Sequence, residues 1–272
     1  MNTLFLTGGT GFFGKSLLKF WSQKSDNEFK FDQVVILSRD PNKFKSEYLW
    51  VKDLNWLTFV QGDVCDYDSF PHDKEFTHII HAATESTNGL LLQPFDRFHQ
   101  IFTGSKNVLE FSKEKKVKKT LITSSGGVYG DLFDKQLPFS EDYSGCPDPL
   151  NVENAYSIAK KTTEHLSSLY HSSFGLSTVI ARGFSFVGED LPLGAHFAIG
   201  NFIKDALYND CINVNGDGES VRSYLYQLDM AEWLETMLLY GKANTAYNLG
   251  SDEYIKIKGL AYLVRDILSP AK

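Results

Sequence analysis

Over the first two thirds of the chain, short apolar runs alternate with longer amphipathic stretches. Residues 3–7 (TLFLT), 33–37 (QVVIL), 57–61 (LTFVQ), 77–81 (THIIH), 119–124 (KTLITS) and 177–182 (STVIAR) have the length and apolar content of buried strands. Helices are predicted over 11–22, about 94–115 and 151–173. Strands that are apolar throughout, separated by helices, are those of a parallel sheet covered on both faces. The expected fold is therefore α/β: a Rossmann-like doubly wound parallel sheet. After Gly183 the alternation weakens and Gly, Pro and Asn become frequent. Helices are expected there over 197–207, 229–239 and 257–268. This divides the chain into a larger unit over 1–182 and a small, abbreviated C-terminal lobe over 183–272, with room for some of its strands to return to the sheet.

Composition removes several classes. The chain has 272 residues, 42% hydrophobic and 22% charged, with a formal net charge of −7. It has the balance of an ordinary globular protein rather than the basic footprint of a duplex binder. The one dense basic run, 113–119, follows a predicted helix and reads as a solvated helix end. Cys65, Cys146 and Cys211 stand far apart without CxxC spacing. That argues against a disulfide framework or a zinc site and fits a reducing compartment. The start MNTLFLTGGTGFFG is too short and too glycine-broken in its apolar run for a signal peptide, and no stretch reaches membrane-spanning length. The expectation is a cytoplasmic protein with no nucleic acid, no membrane and no metal. His78 and His81 lie at odd spacing on one strand, so they face opposite sides. The aromatic residues, including Trp50, Trp56 and Trp233, read as core. His196 reads as a loop or packing residue.

Candidate chemistry begins at residues 7–14, TGGTGFFG, between the first strand and the first helix. Gly9, Gly11 and Gly14 satisfy GxGxxG; Gly8, Gly11 and Gly14 satisfy GxxGxxG. Glycines there permit a tight turn and close approach to a pyrophosphate, and the helix start offers free N–H groups. This makes residues 1–182 a dinucleotide-binding domain and 183–272 a substrate lobe. At the tip of the second strand, where an acid binds a ribose 2′-hydroxyl and an arginine a 2′-phosphate, the chain reads Leu37-Ser38-Arg39-Asp40. Arg39 favours NADP(H); Asp40, one residue on, keeps NAD(H) open. Gly62-Asp63-Val64 ends the third strand, where Asp63 could accept from an adenine amine. Ala82-Ala83-Thr84 ends the fourth with small residues against which a cofactor could lie.

Tyr156 and Lys160 share one face of a predicted helix. A lysine ammonium beside a tyrosine eases proton exchange by the phenol. Roughly one Y-x-x-x-K match is expected by chance, and Tyr48/Lys52 and Tyr254/Lys258 are decoys outside the helix that follows the fifth strand. The second element is LITSSGGVYG at 121–130, which ends the fifth strand and offers a serine hydroxyl to a substrate oxygen.

With these residues the chain resembles the extended short-chain dehydrogenase/reductase family, in its nucleotide-sugar epimerase/dehydratase/4-ketoreductase branch. The resemblance runs through TGGTGFFG, GDV at 62–64, HAA at 81–83, SSGGVYG at 124–130, YSIAK at 156–160, Arg182, the stretch 216–229 and YNLGS at 247–251. It implies catalysis by Ser125, Tyr156 and Lys160. It implies a cofactor held by Gly8, Thr10, Gly11, Phe12, Phe13, Gly14, Ser38, Arg39, Asp63, Val64, Ala82, Ala83, Thr84, Thr123, Tyr156, Lys160 and Phe184. It implies a nucleotide sugar held by Thr84, Ser125, Ser185, Asn201, Phe202 and Arg222, the last at its diphosphate. It also implies a homodimer through a four-helix bundle built from the helices at 94–115 and 151–173.

The departures are informative. The family's 4,6-dehydratases carry an Asp-Glu pair just after the catalytic hydroxyl, and its decarboxylases also use an acid there; this chain has Gly126 and Gly127. Ser185 and Ile101 stand where asparagines are expected. Two enzyme readings follow: NADPH-dependent reduction of a 4-keto-6-deoxy nucleotide sugar, which is favoured, and 4-epimerisation with tightly held NAD. A third, from another class, is a cofactor-binding protein without catalysis.

Overall fold

The computed structural model describes residues 2–84, 92–130, 140–195 and 197–268. A seven-stranded sheet runs through it, built from β1 (Thr3–Thr7), β2 (Gln33–Ser38), β3 (Leu57–Gln61), β4 (His78–His81), β5 (Lys119–Ser125), β6 (Thr178–Gly183) and β10 (Thr245–Leu249). Their order is β10-β6-β5-β4-β1-β2-β3, with every pairing parallel. The order reverses beside β1, which creates the crevice where open α/β sheets bind ligands.

Two cores cover the faces of the sheet. On one, α1 (Phe12–Ser22) and α6 (Gln227–Tyr240) bring Leu17, Leu18, Trp21, Met230 and Leu234 onto Leu4, Leu6 and Ile36. On the other, α3 (Pro94–Glu114) and α4 (Ala155–Phe174) bring Val108, Leu109, Phe111 and Tyr170 onto Phe5, Val35, Ile79 and Ile122. Alternate residues of one strand thus serve opposite cores, which is why these strands read as unbroken apolar runs. A third cluster, with Leu191, Ile199, Phe202, Leu260 and Val264, forms the small lobe around α5 (Ala198–Tyr208) and α7 (Ile257–Leu268). Two short ribbons border it. β7 (Ser185–Val187) pairs in parallel with β9 (Tyr224–Tyr226), and β8 (Val221–Arg222) pairs antiparallel with β11 (Ile255–Lys256).

The region after Gly183 is therefore interleaved with the sheet: α6 and β10 belong to the large unit, while α5 and α7 make the lobe. The structure adds α2 (Pro41–Glu47) and moves the start of α4 to Ala155, after a 3-10 turn at Val152–Asn154. The core assignment of Trp233 is corrected. It is 43% exposed, because Met230, Ala231, Leu234 and Leu238 occupy the inward stripe of α6. Trp50 and Trp56 pack against the first core, half-buried. His78 and His81 are both buried. The ring of His78 packs on Phe31 in the first core, whereas His81 faces Ser105 of α3.

Candidate active site

The carboxyl ends of β1, β2, β4 and β5 open onto a cleft of about 730 Å³ whose far wall is the small lobe. The glycine turn forms its floor. Gly8 has φ +76°, and a Cβ on it would lie 2.4 Å from the Ala82 carbonyl carbon, so only glycine lets the turn lie against the end of β4. A Cβ on Gly14 would lie 2.3 Å from the Gly9 backbone. Gly14 therefore does not line the cleft but allows α1 to close on the turn. Gly11 caps α1 without a side-chain acceptor, and no acidic residue stands in the first turn. Gly11, Phe12 and Phe13 line the cleft there. An uncapped helix start against a glycine turn fits a dinucleotide's phosphates.

At the tip of β2, Ser38 and Arg39 line the cleft and Asp40 does not. The Asp40 carboxylate instead accepts from Lys43 N at 2.9 Å and caps α2. Asp63 and Val64 line the cleft at the end of β3, with Asp63 Oδ1 accepting from Cys65 N at 2.8 Å.

α4 carries Tyr156 and Lys160 into the cleft one turn apart, beside Ser125 at the end of β5. Lys160 is buried and donates to Thr84 Oγ1 and to the Thr123 carbonyl, both at 2.8 Å. One of its three protons remains for a ligand hydroxyl. Burial brings the ammonium down to about 7, against the opposing pull of the Glu164 carboxylate. Burial pushes the Tyr156 phenol up from its ordinary value, while the Ser125 hydroxyl and the Arg97 guanidinium draw it back. Ser125 Oγ accepts from Gly127 N at 3.1 Å, which leaves its proton for an oxygen in the cleft.

A buried network stiffens the back of this site. Glu164, one turn beyond Lys160, accepts from Ser124 Oγ at 2.6 Å and from Arg182 Nη2 at 2.8 Å. Arg182 Nη1 donates to Tyr129 Oη at 2.9 Å, and Tyr129 donates to Asn248 Oδ1 at 2.6 Å. α4, β5, β6 and β10 are thereby tied together. His81 bridges Thr7 Oγ1 and Ser105 Oγ at 2.8 and 3.2 Å. Its imidazole is held down to about 3, chiefly by burial, and so is neutral.

Every remaining expected site residue also borders the cleft: Thr10, Ala82, Ala83, Thr84, Thr123, Phe184, Ser185, Asn201, Phe202 and Arg222. Phe202 is only 3% exposed and spends most of its ring in the lobe core. Arg222 is exposed, its Nη1 donating to the Val221 carbonyl at 2.7 Å. His196 lies outside the described residues. Neither Tyr48 nor Tyr254 borders the cleft. Gln100, Asn213, Asn215, Ser220 and Tyr224 line it as well; scattered polar residues with no spacing rule between them leave no signal in the sequence. Glu164 was open to detection, because positions 156, 160 and 164 repeat every four residues along one helix face.

The profile of the NAD dependent epimerase/dehydratase family matches residues 4–250. UDP-glucuronic acid decarboxylase 4 of Arabidopsis thaliana is 27% identical over 266 residues, covering 97% of this chain and 57% of the relative. The chain thus spans little more than half of that relative's length. Among solved structures, dTDP-glucose 4,6-dehydratase of Bacillus anthracis, in complex with NAD, superposes with a TM-score of 0.83 at 19% identity over 98% of this chain and 81% of that one. UDP-glucose 4-epimerase of Thermotoga maritima, with UDP-glucose, gives 0.82 at 24% identity over 99% and 84%.

Proposed function

The chain belongs to the NAD dependent epimerase/dehydratase family, and from that premise we propose that it is an NAD(P)-dependent oxidoreductase whose reaction is the NADPH-dependent reduction of a 4-keto-6-deoxy nucleotide sugar. The observation that carries this reading is the crowding behind the catalytic hydroxyl. A Cβ on Gly126 would lie 2.8 Å from the Phe184 ring, and one on Gly127 would lie 2.5 Å from Ser157 Oγ. No carboxylic acid fits there without displacing those groups, so positions 126 and 127 do not carry the proton-moving pair expected there for dehydration or decarboxylation. A ketone reduction needs only the Ser/Tyr/Lys set.

A nicotinamide dinucleotide held by the glycine turn, Arg39 and Lys160 would supply the hydride. Tyr156 gives its phenolic proton to the C4 oxygen, so the carbonyl becomes an alcohol and the tyrosine a phenolate. Ser125 donates to the same oxygen and steadies the charge that gathers on it. Lys160, held by Thr84 and the Thr123 carbonyl, turns its third proton to a ribose hydroxyl and favours the phenolate. Arg39, with Asp40 committed to its cap, suits a 2′-phosphate and supports NADP(H) over NAD(H). Thr84, Ser185, Asn201, Phe202 and Arg222 are assigned to the nucleotide sugar.

The second reading is 4-epimerisation with retained NAD. It uses the same residues and corresponds to the activity of the Thermotoga maritima UDP-glucose 4-epimerase, whose fold this chain shares. The third is a cofactor-binding protein without turnover.

The test is incubation of the purified protein with NADPH, then NADH, and a panel of 4-keto-6-deoxy nucleotide sugars, followed at the nicotinamide absorbance band. UDP-glucose, dTDP-glucose and UDP-glucuronic acid are assayed alongside. NADPH consumption that disappears in Tyr156→Phe is expected. Interconversion of 4-epimers without net consumption selects the epimerase. Loss of water or carbon dioxide overturns both readings, and ligand binding without turnover selects the binder.

The chain is further assigned as a homodimer through α3 and α4. Phe95, Leu169 and Phe174 on those helices are exposed, as an unburied interface would require. A monomer in sedimentation at micromolar concentration overturns this assignment.

A further inference from the structure

Tyr156 meets a second cation, brought by a different helix. Arg97 stands in the first turn of α3, and its guanidinium carbon lies 4.7 Å from the centre of the Tyr156 ring, closer than Lys160 Nζ at 5.9 Å. Arg97 Nε is buried and has no hydrogen-bond partner among the described residues. A buried donor left unpaired is uncommon, and here the planar guanidinium rests on an aromatic face, a contact that stabilises both groups.

We propose that Arg97 is a positioning residue for the reaction: packed on the Tyr156 ring, its guanidinium fixes the phenol in the cleft and stabilises the phenolate left when the proton moves to the substrate oxygen.

The proposal rests on Tyr156 being the proton-exchanging group. Charged and polar partners reach that tyrosine from three elements: Arg97 from α3, Lys160 from its own helix with Glu164 one turn behind, and the Ser125 hydroxyl from β5. Lys160 is a conditional cation, because burial lowers its ammonium to about 7 and two of its protons are held by Thr84 and Thr123. A guanidinium is charged at every pH at which a protein stays folded. Above neutrality the fixed positive charge beside the phenol is therefore that of Arg97. A nearby cation favours the ionised phenol, and more strongly where water is excluded.

The experiment is carbon-13 NMR of cofactor-free protein labelled at tyrosine Cζ, with the Tyr156 signal identified by its absence in Tyr156→Phe. Its ionisation midpoint is expected to rise by about one pH unit in Arg97→Gln. It should rise equally in Arg97→Met, which keeps the apolar contact with the ring and serves if the glutamine variant does not fold. Arg97→Lys should return it towards the wild-type value. Turnover is measured on the same proteins. An unmoved midpoint in either charge-free variant, with turnover lost in Tyr156→Phe, overturns the role of Arg97 alone. Full turnover by Tyr156→Phe overturns the functional reading and this role with it.

Discussion

Lys160 Nζ donates to the Thr123 carbonyl oxygen at 2.8 Å, so the cation of α4 is tied to the backbone of β5. An ammonium fixed there has left bulk water, and its lowering to about 7 from an ordinary 10.5 measures that loss. Between about 7 and 10.5 the unfolded chain binds a proton that the folded chain does not. The contribution of Lys160 to stability therefore rises with pH across that window, and its burial penalty is greatest below about 7. The difference in unfolding free energy between wild type and Lys160→Met should shift in favour of wild type on going from about pH 6 to about pH 10. Urea titration of both cofactor-free proteins reads it. The same variant should lose about 10²–10⁴-fold in turnover.

Glu164 opposes that lowering while pairing with Arg182. Glu164→Gln removes the negative charge from both. The Lys160-dependent limb of the pH–rate profile should move to lower pH. Stability should fall by about 3 kcal/mol, since a buried partner is left behind. Kinetics across pH and thermal melting measure the two effects separately.

Arg39→Ala addresses cofactor choice. If its guanidinium meets a 2′-phosphate, NADPH affinity should fall about tenfold or more, as loss of a charge-assisted hydrogen bond requires, with NADH affinity little changed. Fluorescence titration with the two dinucleotides decides; equal losses for both would rule out phosphate recognition by Arg39.

Gly126→Ala should cost about 1–3 kcal/mol, because its methyl group meets the Phe184 ring. Calorimetry measures the loss. A variant as stable as wild type would show that the ring yields readily, and an acid at that position would then be sterically tolerable.

The inner strands were legible because each is buried on both faces: β1, β2, β4 and β5 are almost wholly enclosed. β10 was not. TAYNL is half-buried along most of its length, and its polar residues carry no strand period. The glycine turn at the end of β1 and the one-turn spacing of Tyr156 and Lys160 on α4 were legible because both are local features of the sequence. Arg97 was not, since a contact across 59 positions between two helices leaves no mark in either helix. In the sequence Asp40 stands beside Arg39 as an alternative ribose ligand; its capping of α2 shows only in the helix itself, a seven-residue element without a strong apolar stripe.

The parallel pairing of Thr245–Leu249 with Thr178–Gly183 has a consequence for engineering and for biosynthesis. A fragment stopped at residue 183 would leave β6 as a bare rim of unpaired amides and carbonyls, an invitation to intermolecular strand addition. Transplanting the distal lobe between homologues must keep residues 224–249 with the host sheet, or the chimera will aggregate. On the ribosome the sheet must wait until residues 245–249 have emerged, after α5 but before α7, for the strand beyond β6 to dock.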